Sequence, residues 1–249
     1  MALVSVVTPA WNAAAFVAET IASVCAQTLG DWEMWVVDDA STDDTAAMVE
    51  RAAADDRRVR LVRQPANAGP ARARQAALDR ATGRFVAFLD ADDLWLPAKL
   101  ERQTAFARER RAALSYTSFR RISEDGAVVG ARRTIPPSLS HAELLRNTAI
   151  ATLTAMVDRE VAGSIAMTDT GYDDLALWLS ILRRGHVAHG LDEDLARYRV
   201  RRASVSSRRL RAARWVWRIY REQEGLSLPR ASWCLAQYGA RAWLKRQVF

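Results

Sequence analysis

Asp90-Ala91-Asp92-Asp93 follows the apolar run Phe85–Leu89. Carboxylates crowded at the end of a buried strand repel one another unless a cation neutralises them. Hard divalent ions take oxygen ligands, so Mg²⁺ or Mn²⁺ suits the cluster, and the Asp-Ala-Asp spacing lets one carboxylate reach a metal while another hydrogen-bonds a ligand hydroxyl. The same residues also read as an acidic turn ahead of the helix after Pro97. Asp38-Asp39 ends a second apolar run; Asp39 can accept an imide N–H from a nucleobase or simply start the next helix with Ala40 and Ser41. A third polar cluster is Thr8-Pro9-Ala10-Trp11-Asn12. The chain has no P-loop, no Gly-x-Gly-x-x-Gly and no nucleophile elbow, which speaks against kinase, dehydrogenase and hydrolase chemistry.

These clusters need elements to position them. Apolar, β-branched runs at Leu3–Thr8, Trp35–Asp38, Val59–Arg63 and Phe85–Leu89 read as strands. Segments with helical spacing lie between them: Ala15–Gln27, with Phe16, Ile21 and Val24 towards one face; Thr45–Ala54, with Ser41-Thr42-Asp43-Asp44 as cap and acidic first turn; and Pro70–Ala81. The alternation predicts an α/β fold with a mostly parallel sheet flanked by helices, whose ligands sit beyond the carboxyl ends of the strands. All three polar clusters fall there. Further on, the pattern predicts a helix over Pro97–Arg111, a strand at Ala113–Phe119, a hairpin at Glu124-Asp125-Gly126, a short helix over Ser140–Arg146 capped by Ser140, and a helix over Asp173–Arg183 stopped by Gly185.

Several segments together carry a family resemblance. Val4-Ser5-Val6-Val7-Thr8-Pro9-Ala10-Trp11-Asn12, Ser23-Val24-Cys25-Ala26-Gln27-Thr28, Val36-Val37-Asp38-Asp39-Ala40-Ser41-Thr42-Asp43, Asn67-Ala68-Gly69 and Asp90-Ala91-Asp92-Asp93-Leu94-Trp95 stand in the order of the amino-terminal signature of inverting glycosyltransferases of family 2, which they resemble. The resemblance implies a GT-A fold and a nucleoside-diphosphate sugar donor, most often a uridine one. By position, Thr8, Pro9, Trp11 and Asn12 would surround the nucleobase and Asp39 would accept its N–H. Arg74 would contact the nucleotide, although Gln75 replaces the family's usual Asn. Asp90 and Ala91 would hold the ribose side, and Asp92, with Asp90, the Mn²⁺ or Mg²⁺ bridging the diphosphate. Such an ion offsets the charge growing on the departing diphosphate. Tyr172-Asp173-Asp174-Leu175-Ala176-Leu177-Trp178 resembles the family's Glu-Asp motif, which makes Asp174 the base that takes the acceptor's proton and Asp173 the competing candidate. A helix N-cap is the other reading of both. Tyr198 to Ser206 resembles a family segment in which a histidine stands where this chain has Arg201; Arg201 and Arg199 are then diphosphate ligands or solvated arginines. Asp93, Trp95 and Trp178 are expected at the acceptor, with loops Arg132–Leu139 and Asn147–Thr154 building its site.

Thirty-six Lys/Arg against 29 Asp/Glu give a formal charge of +7 over 249 residues, half of them apolar, which excludes disorder, collagen-like fibres and disulfide-stapled miniproteins. The excess is local. Residues 201–249 carry 12 Lys/Arg and 2 Asp/Glu, and the rest of the chain 24 and 27. The expected organisation is a catalytic domain over 1–206, with a nucleotide half at 1–95 and an acceptor half at 96–206, and a basic helical tail over 207–249. Trp215, Trp217, Tyr220, Trp233, Tyr238, Trp243 and Phe249 interleave with the tail's arginines. That pattern fits packing on the body, contact with an anionic membrane, or, least well, nucleic acid. Cys25 and Cys234 show no metal-ligand spacing and read as reduced and buried; His141, His186 and His189 read as surface or turn residues. No apolar run spans a bilayer and the start lacks a signal-peptide pattern, so the expected location is cytoplasmic, peripheral on the inner membrane face. Residues 173–178, 198–206 and 217–228 also resemble bacterial enzymes of teichuronic-acid, capsule and lipopolysaccharide assembly, which implies a surface-glycan acceptor carried on a polyprenyl diphosphate. A non-catalytic nucleotide-sugar binder and a nucleic-acid binder are the rival classes.

Overall fold

The computed structural model describes residues 2–147, 149–201 and 209–246, with the side chains of the last segment described over 211–241. Strands β1 (Val4–Ala10), β2 (Trp32–Asp38), β3 (Val59–Arg63) and β4 (Phe85–Phe88) pair in parallel. Helices α1 (Val17–Cys25), α2 (Thr45–Asp55) and α3 (Pro70–Leu78) connect them. β4 is buried at every position, as a central strand covered on both faces must be. The predicted elements hold to within a few residues. β2 starts at Trp32, because Trp32 and Met34 are also buried under the helices. The cap of α2 differs from the expected one: Asp44 makes no side-chain cap, and the Asp43 carboxylate instead accepts the Thr45 amide at 3.0 Å.

Beyond β4 come β5 (Leu94–Trp95), α4 (Lys99–Arg110), β6 (Leu114–Ile122), β7 (Val129–Arg132), β8 (Ser138–Leu139) and α5 (His141–Leu144). They are followed by β9 (Met156–Asp158), α6 (Arg159–Ala162), α7 (Asp173–Leu182) and β10 (Ala188–Arg199). One sheet runs β3-β2-β1-β4-β9-β6-β10-β5, so the parallel half continues into a mixed half through antiparallel β9. β10 carries little apolar pattern. It is held parallel to β6 with two register shifts, and by ion pairs of Asp194 with Arg120 (2.7 Å) and Arg197 (2.6 Å). The Asp-Gly turn joins β6 to β7, with Gly126 at φ +75°, and Ser140 with Glu143 forms a full capping box on α5.

The tail forms α8 (Arg209–Arg218), a π-turn over Ile219–Gln223 and α9 (Leu228–Arg246). Val216, Ile219, Tyr220, Leu226, Ala231 and Cys234 are buried in the same core as Leu177 and Trp178. His141 is a tie, not a plain surface residue: its Nε2 lies 2.7 Å from the Glu224 carboxylate. The Tyr220 hydroxyl donates to the Leu145 carbonyl. Packing on the body is therefore one of the tail's roles. Arg211, Arg214, Arg218 and Arg221 stay exposed on one side, as does Trp233. Both cysteines are free; Cys234 is buried and Cys25 half-buried. No helix among the described residues is long and apolar enough to cross a membrane.

Candidate functional site

A cleft of about 1530 Å³ opens beyond the carboxyl ends of β1, β2 and β4. Its nucleotide side is built by loops that clamp one another. Asn12 and Ala40 adopt left-handed backbone (φ 47° and 56°), the Asn12 amide donates to Ser41 Oγ at 2.9 Å, and the Asn12 side-chain carbonyl accepts the Thr42 amide at 2.8 Å. This leaves Trp11 at the rim, 56% exposed. Asp39, 3% exposed, accepts the amides of Ala68 and Gly69 at 2.8 Å each and so holds the loop leading into α3. Pro9, Trp11, Asn12, Asp39 and Ala91 all line the cleft. Thr8 does not. It is wholly buried beneath the floor because its side chain falls on the inward face of β1, which corrects the expectation that it touches a base.

The acidic cluster divides by exposure. Asp93 is 1% exposed and accepts the Arg199 amide at 2.8 Å; burial, then Asp92 and Asp90, push its carboxyl well above the usual range. It locks the loop to β10 rather than offering itself to an acceptor. Trp95 is likewise core, its indole N–H donating to the Leu153 carbonyl at 2.8 Å, and it lies outside the cleft lining. Trp178 lines the cleft but is only 1% exposed and packs edge-on against Phe88 at 5.2 Å. Trp95 thus falls away from the expected acceptor surface, while Asp93 and Trp178 stay on the cleft lining as almost wholly buried side chains. Asp90 and Asp92 keep side-chain exposures of 32% and 26% in the cleft. Burial and the neighbouring Asp90 raise the Asp92 carboxyl, against a 3.3 Å contact from Arg201.

The donor set fits a hard divalent ion. Two carboxylates present oxygen to the cleft and crowd each other, which is the repulsion a cation relieves. Among the described residues no three His, Cys, Asp or Glu side chains stand close enough together to hold a metal ion by themselves. The chain would thus supply one or two ligands, and phosphate oxygens and water would complete the shell, as is usual for Mg²⁺ at nucleotide sites.

Arg74 is the structural centre of the site. It is 7% exposed, and its guanidinium bridges Asp90 at 2.5 Å and Asp173 at 2.6 Å. Burial works against its charge, but those two carboxylates outweigh it and hold the proton firmly. Asp173 and Asp174, adjacent at the start of α7, therefore have different surroundings. Asp173 is buried on Arg74, while Asp174 accepts the Thr152 hydroxyl at 2.7 Å and the Leu175 amide at 2.7 Å. Burial and Asp173 push the Asp174 carboxyl up; Thr152 and Arg74 pull it down. Thr152 lies in one of the loops expected at the acceptor, though not singled out by its own type; Thr148 of that loop lies outside the described residues.

Arg199 and Arg201 separate in the same way. Arg199 commits Nε to the Asp92 carbonyl (2.8 Å), Nη1 to the Glu124 carbonyl (2.8 Å) and Nη2 to Glu19 (2.5 Å). All three of its nitrogens are engaged and the residue is 4% exposed, which makes it a strut of the loop rather than a free diphosphate ligand. Arg201 keeps 34% side-chain exposure and, among the described residues, one long contact to Asp92. Both guanidiniums lie over Phe16, at 5.1 and 5.0 Å, just ahead of α1. Residues 202–206 of the same segment are outside the described residues.

Comparisons with known proteins give the family and the fold. The family model for glycosyl transferase family 2 matches residues 5–167. TuaG of Bacillus subtilis (strain 168), a glycosyltransferase ascribed to teichuronic acid biosynthesis, is 43% identical over 98% of this chain and 97% of its own. The Escherichia coli UDP-Glc:alpha-D-GlcNAc-diphosphoundecaprenol beta-1,3-glucosyltransferase WfgD is 33% identical over 87% of this chain and 85% of its own. Among solved structures, S. aureus TarS 1–349 in complex with UDP-GlcNAc aligns with a TM-score of 0.71 at 20% identity, covering 96% of this chain and 72% of that one. The mannosyltransferase PcManGT from Pyrobaculum calidifontis, in complex with GDP-Man and Mn²⁺, aligns at 0.70 and 22% identity, covering 96% and 74%. At those identities the likeness establishes the GT-A fold.

Proposed function

Because this chain belongs to glycosyl transferase family 2, we propose that it is an inverting, metal-dependent enzyme that moves one sugar from a UDP-linked donor to a hydroxyl of a lipid-linked surface glycan. The observation that carries the reading is the convergence of Asp90, Asp92 and Asp174 on one cleft, with Arg74 tying the donor side to the start of α7. Trp11 stacks on the uracil and Asp39 completes its edge. Asp92 and Asp90 hold Mn²⁺ or Mg²⁺, which when bound offsets negative charge on the departing diphosphate. Arg201 grips the same diphosphate. Asp174 takes the proton from the acceptor hydroxyl as that oxygen bonds the anomeric carbon and the carbon–diphosphate bond breaks on the opposite face. Asp173 is occupied by Arg74 and holds the turn. The body over 1–206 carries the reaction and the helices after it complete the cleft.

TuaG and WfgD support a surface-glycan acceptor, and the activity in WfgD's name supports UDP-glucose with a diphosphoundecaprenol-linked GlcNAc as the first pair to try. An acceptor of that kind sits at a membrane, where the exposed arginines along α8 and the turn after it suit an anionic leaflet. The test is sugar transfer from a panel of nucleotide sugars, with Mn²⁺ or with chelator. Transfer should require the metal, and Asp174→Asn should lower kcat by about 10²–10⁴, the usual weight of a general base. Full activity in Asp174→Asn, or metal-independent turnover, sinks the mechanism.

A further inference from the structure

The helices after residue 208 reach the reacting centre. Gly171 stands at φ +80°, and a Cβ added there would meet the Trp215 indole of α8 at 2.3 Å. The indole therefore lies directly on the turn that opens α7, three residues before Asp174. Its centroid is 6.1 Å from the Tyr172 ring, tilted by 52°. Tyr238 of α9 approaches from the second helix; burial, then Tyr172 and Asp174, push its phenol well up. All three rings are half-buried and line the cleft together with Asp174. None of the three lies within residues 5–167.

Aromatic faces beside a carboxylate make a chemically specific surface. A pyranose ring offers one face of C–H groups, which seats on a flat aromatic ring, and an edge of hydroxyls, which seeks anionic or carbonyl oxygen. The volume of about 1530 Å³ also exceeds the roughly 300–1,000 Å³ typical for a single small ligand, so a second ligand has room beside the donor. We propose that Trp215, with Tyr172 and Tyr238, forms the subsite for the terminal sugar ring of the acceptor, Trp215 serving as the platform that sets one hydroxyl against Asp174. This rests on the reading of Asp174 as the base.

The experiment uses the full chain, UDP-glucose with Mn²⁺, and GlcNAc-diphosphate on a short alkyl chain as acceptor probe; a panel of other nucleotide sugars and glycan acceptors replaces these if wild type does not turn them over. Acceptor KM is read beside UDP affinity by calorimetry and melting temperature. Trp215→Ala should raise the acceptor KM about tenfold or more, the weight of a truncated aromatic anchor, with UDP affinity within twofold of wild type. Trp215→Phe should recover most of the loss. Trp215→Leu fills the space over Gly171 without a flat face, so it should match the alanine variant's KM even if Trp215→Ala itself unfolds. An acceptor KM within twofold of wild type in both Trp215→Leu and Trp215→Ala overturns the subsite. So does a parallel loss of UDP affinity and melting temperature in all three variants, which marks a packing role. Failure of the underlying reading looks different: wild type then transfers to no sugar acceptor in the panel, or Asp174→Asn transfers as well as wild type.

Discussion

Removing Arg74 strands two carboxylates. In Arg74→Ala, Asp173 keeps its 7% side-chain exposure but loses a cation 2.6 Å away, and Asp90 loses one at 2.5 Å. Breaking a buried pair from one side costs about 3–5 kcal/mol, because an uncompensated charge is left behind. At about 2–4 °C per kcal/mol for a chain of this size, the melting temperature should fall by about 6–20 °C. Arg74→Lys should lie between, since one ammonium does not reproduce a guanidinium's two separate bonds. The mechanism makes a sharper demand on the double variant. Adding Asp173→Asn to Arg74→Ala removes the stranded charge, so it should recover part of the stability instead of adding a second loss. Activity should respond separately, because Arg74 also pulls the Asp174 carboxyl down. Without it the acid limb of the transfer pH profile should move to higher pH. Calorimetric melting and a pH-rate series read both effects. A fall of under 2 °C in Arg74→Ala, or strictly additive destabilisation in the double variant, refutes the reasoning.

Three further outcomes follow from single contacts. Thr152→Ala removes a hydrogen bond that favours the ionised Asp174, so kcat/KM should drop several-fold more at pH 5.5 than at pH 8, and Thr152→Ser should restore the profile; an unshifted acid limb counts against Asp174 as base. The Lys99 amine is wholly buried, 3.8 Å over the Trp95 ring and without a hydrogen-bond partner among the described residues, and burial holds its pKa well below the usual lysine value. The unfolded chain then binds that proton more readily, so stability rises with pH through this range; Lys99→Met should flatten that slope and add about 1–3 kcal/mol at neutral pH in urea unfolding. Gly171→Ala should destabilise by about 1–3 kcal/mol, since the new methyl meets Trp215 on a left-handed backbone; a wild-type melting curve would exclude that close approach.

The nucleotide half was legible because its signals are local. Apolar strand runs, Pro70 at the start of α3 and the polar residues after β1, β2 and β4 are all readable within a window of ten residues. The acceptor half was less so. β9 has three residues, and β10 (AHGLDEDLARYR) is held by charge pairs to Arg120 and within itself, which no hydrophobic period reveals. Trp95 is an aromatic beside an acidic motif, and sequence does not distinguish a ring on the surface of a site from one that props it from behind. The nearness of Trp215 to Asp174 depends on packing across more than forty residues of chain. Its local trace is Gly171, a residue with many other uses.

Two pairs of like residues make the general point. Asp173 and Asp174 share a type, a helix end and a motif, and Arg199 and Arg201 share a type, a segment and a stacking partner in Phe16. What separates each pair is the count of partners already satisfied. Arg74 occupies Asp173, and three acceptors occupy Arg199. Asp174 is held by a neutral hydroxyl and an amide, which orient a carboxylate without neutralising it, and among the described residues Arg201 makes one long ion pair. A charged group already matched at close range has little interaction left for a ligand, because a new partner must first displace the old one from a buried position. The group left charged, oriented and partly solvated gains most when a substrate arrives. The proposed chemistry therefore rests on Asp174 and Arg201, and the buried ion pairs of Asp173 and Arg199 tie down the turn of α7 and the end of β10 beside them.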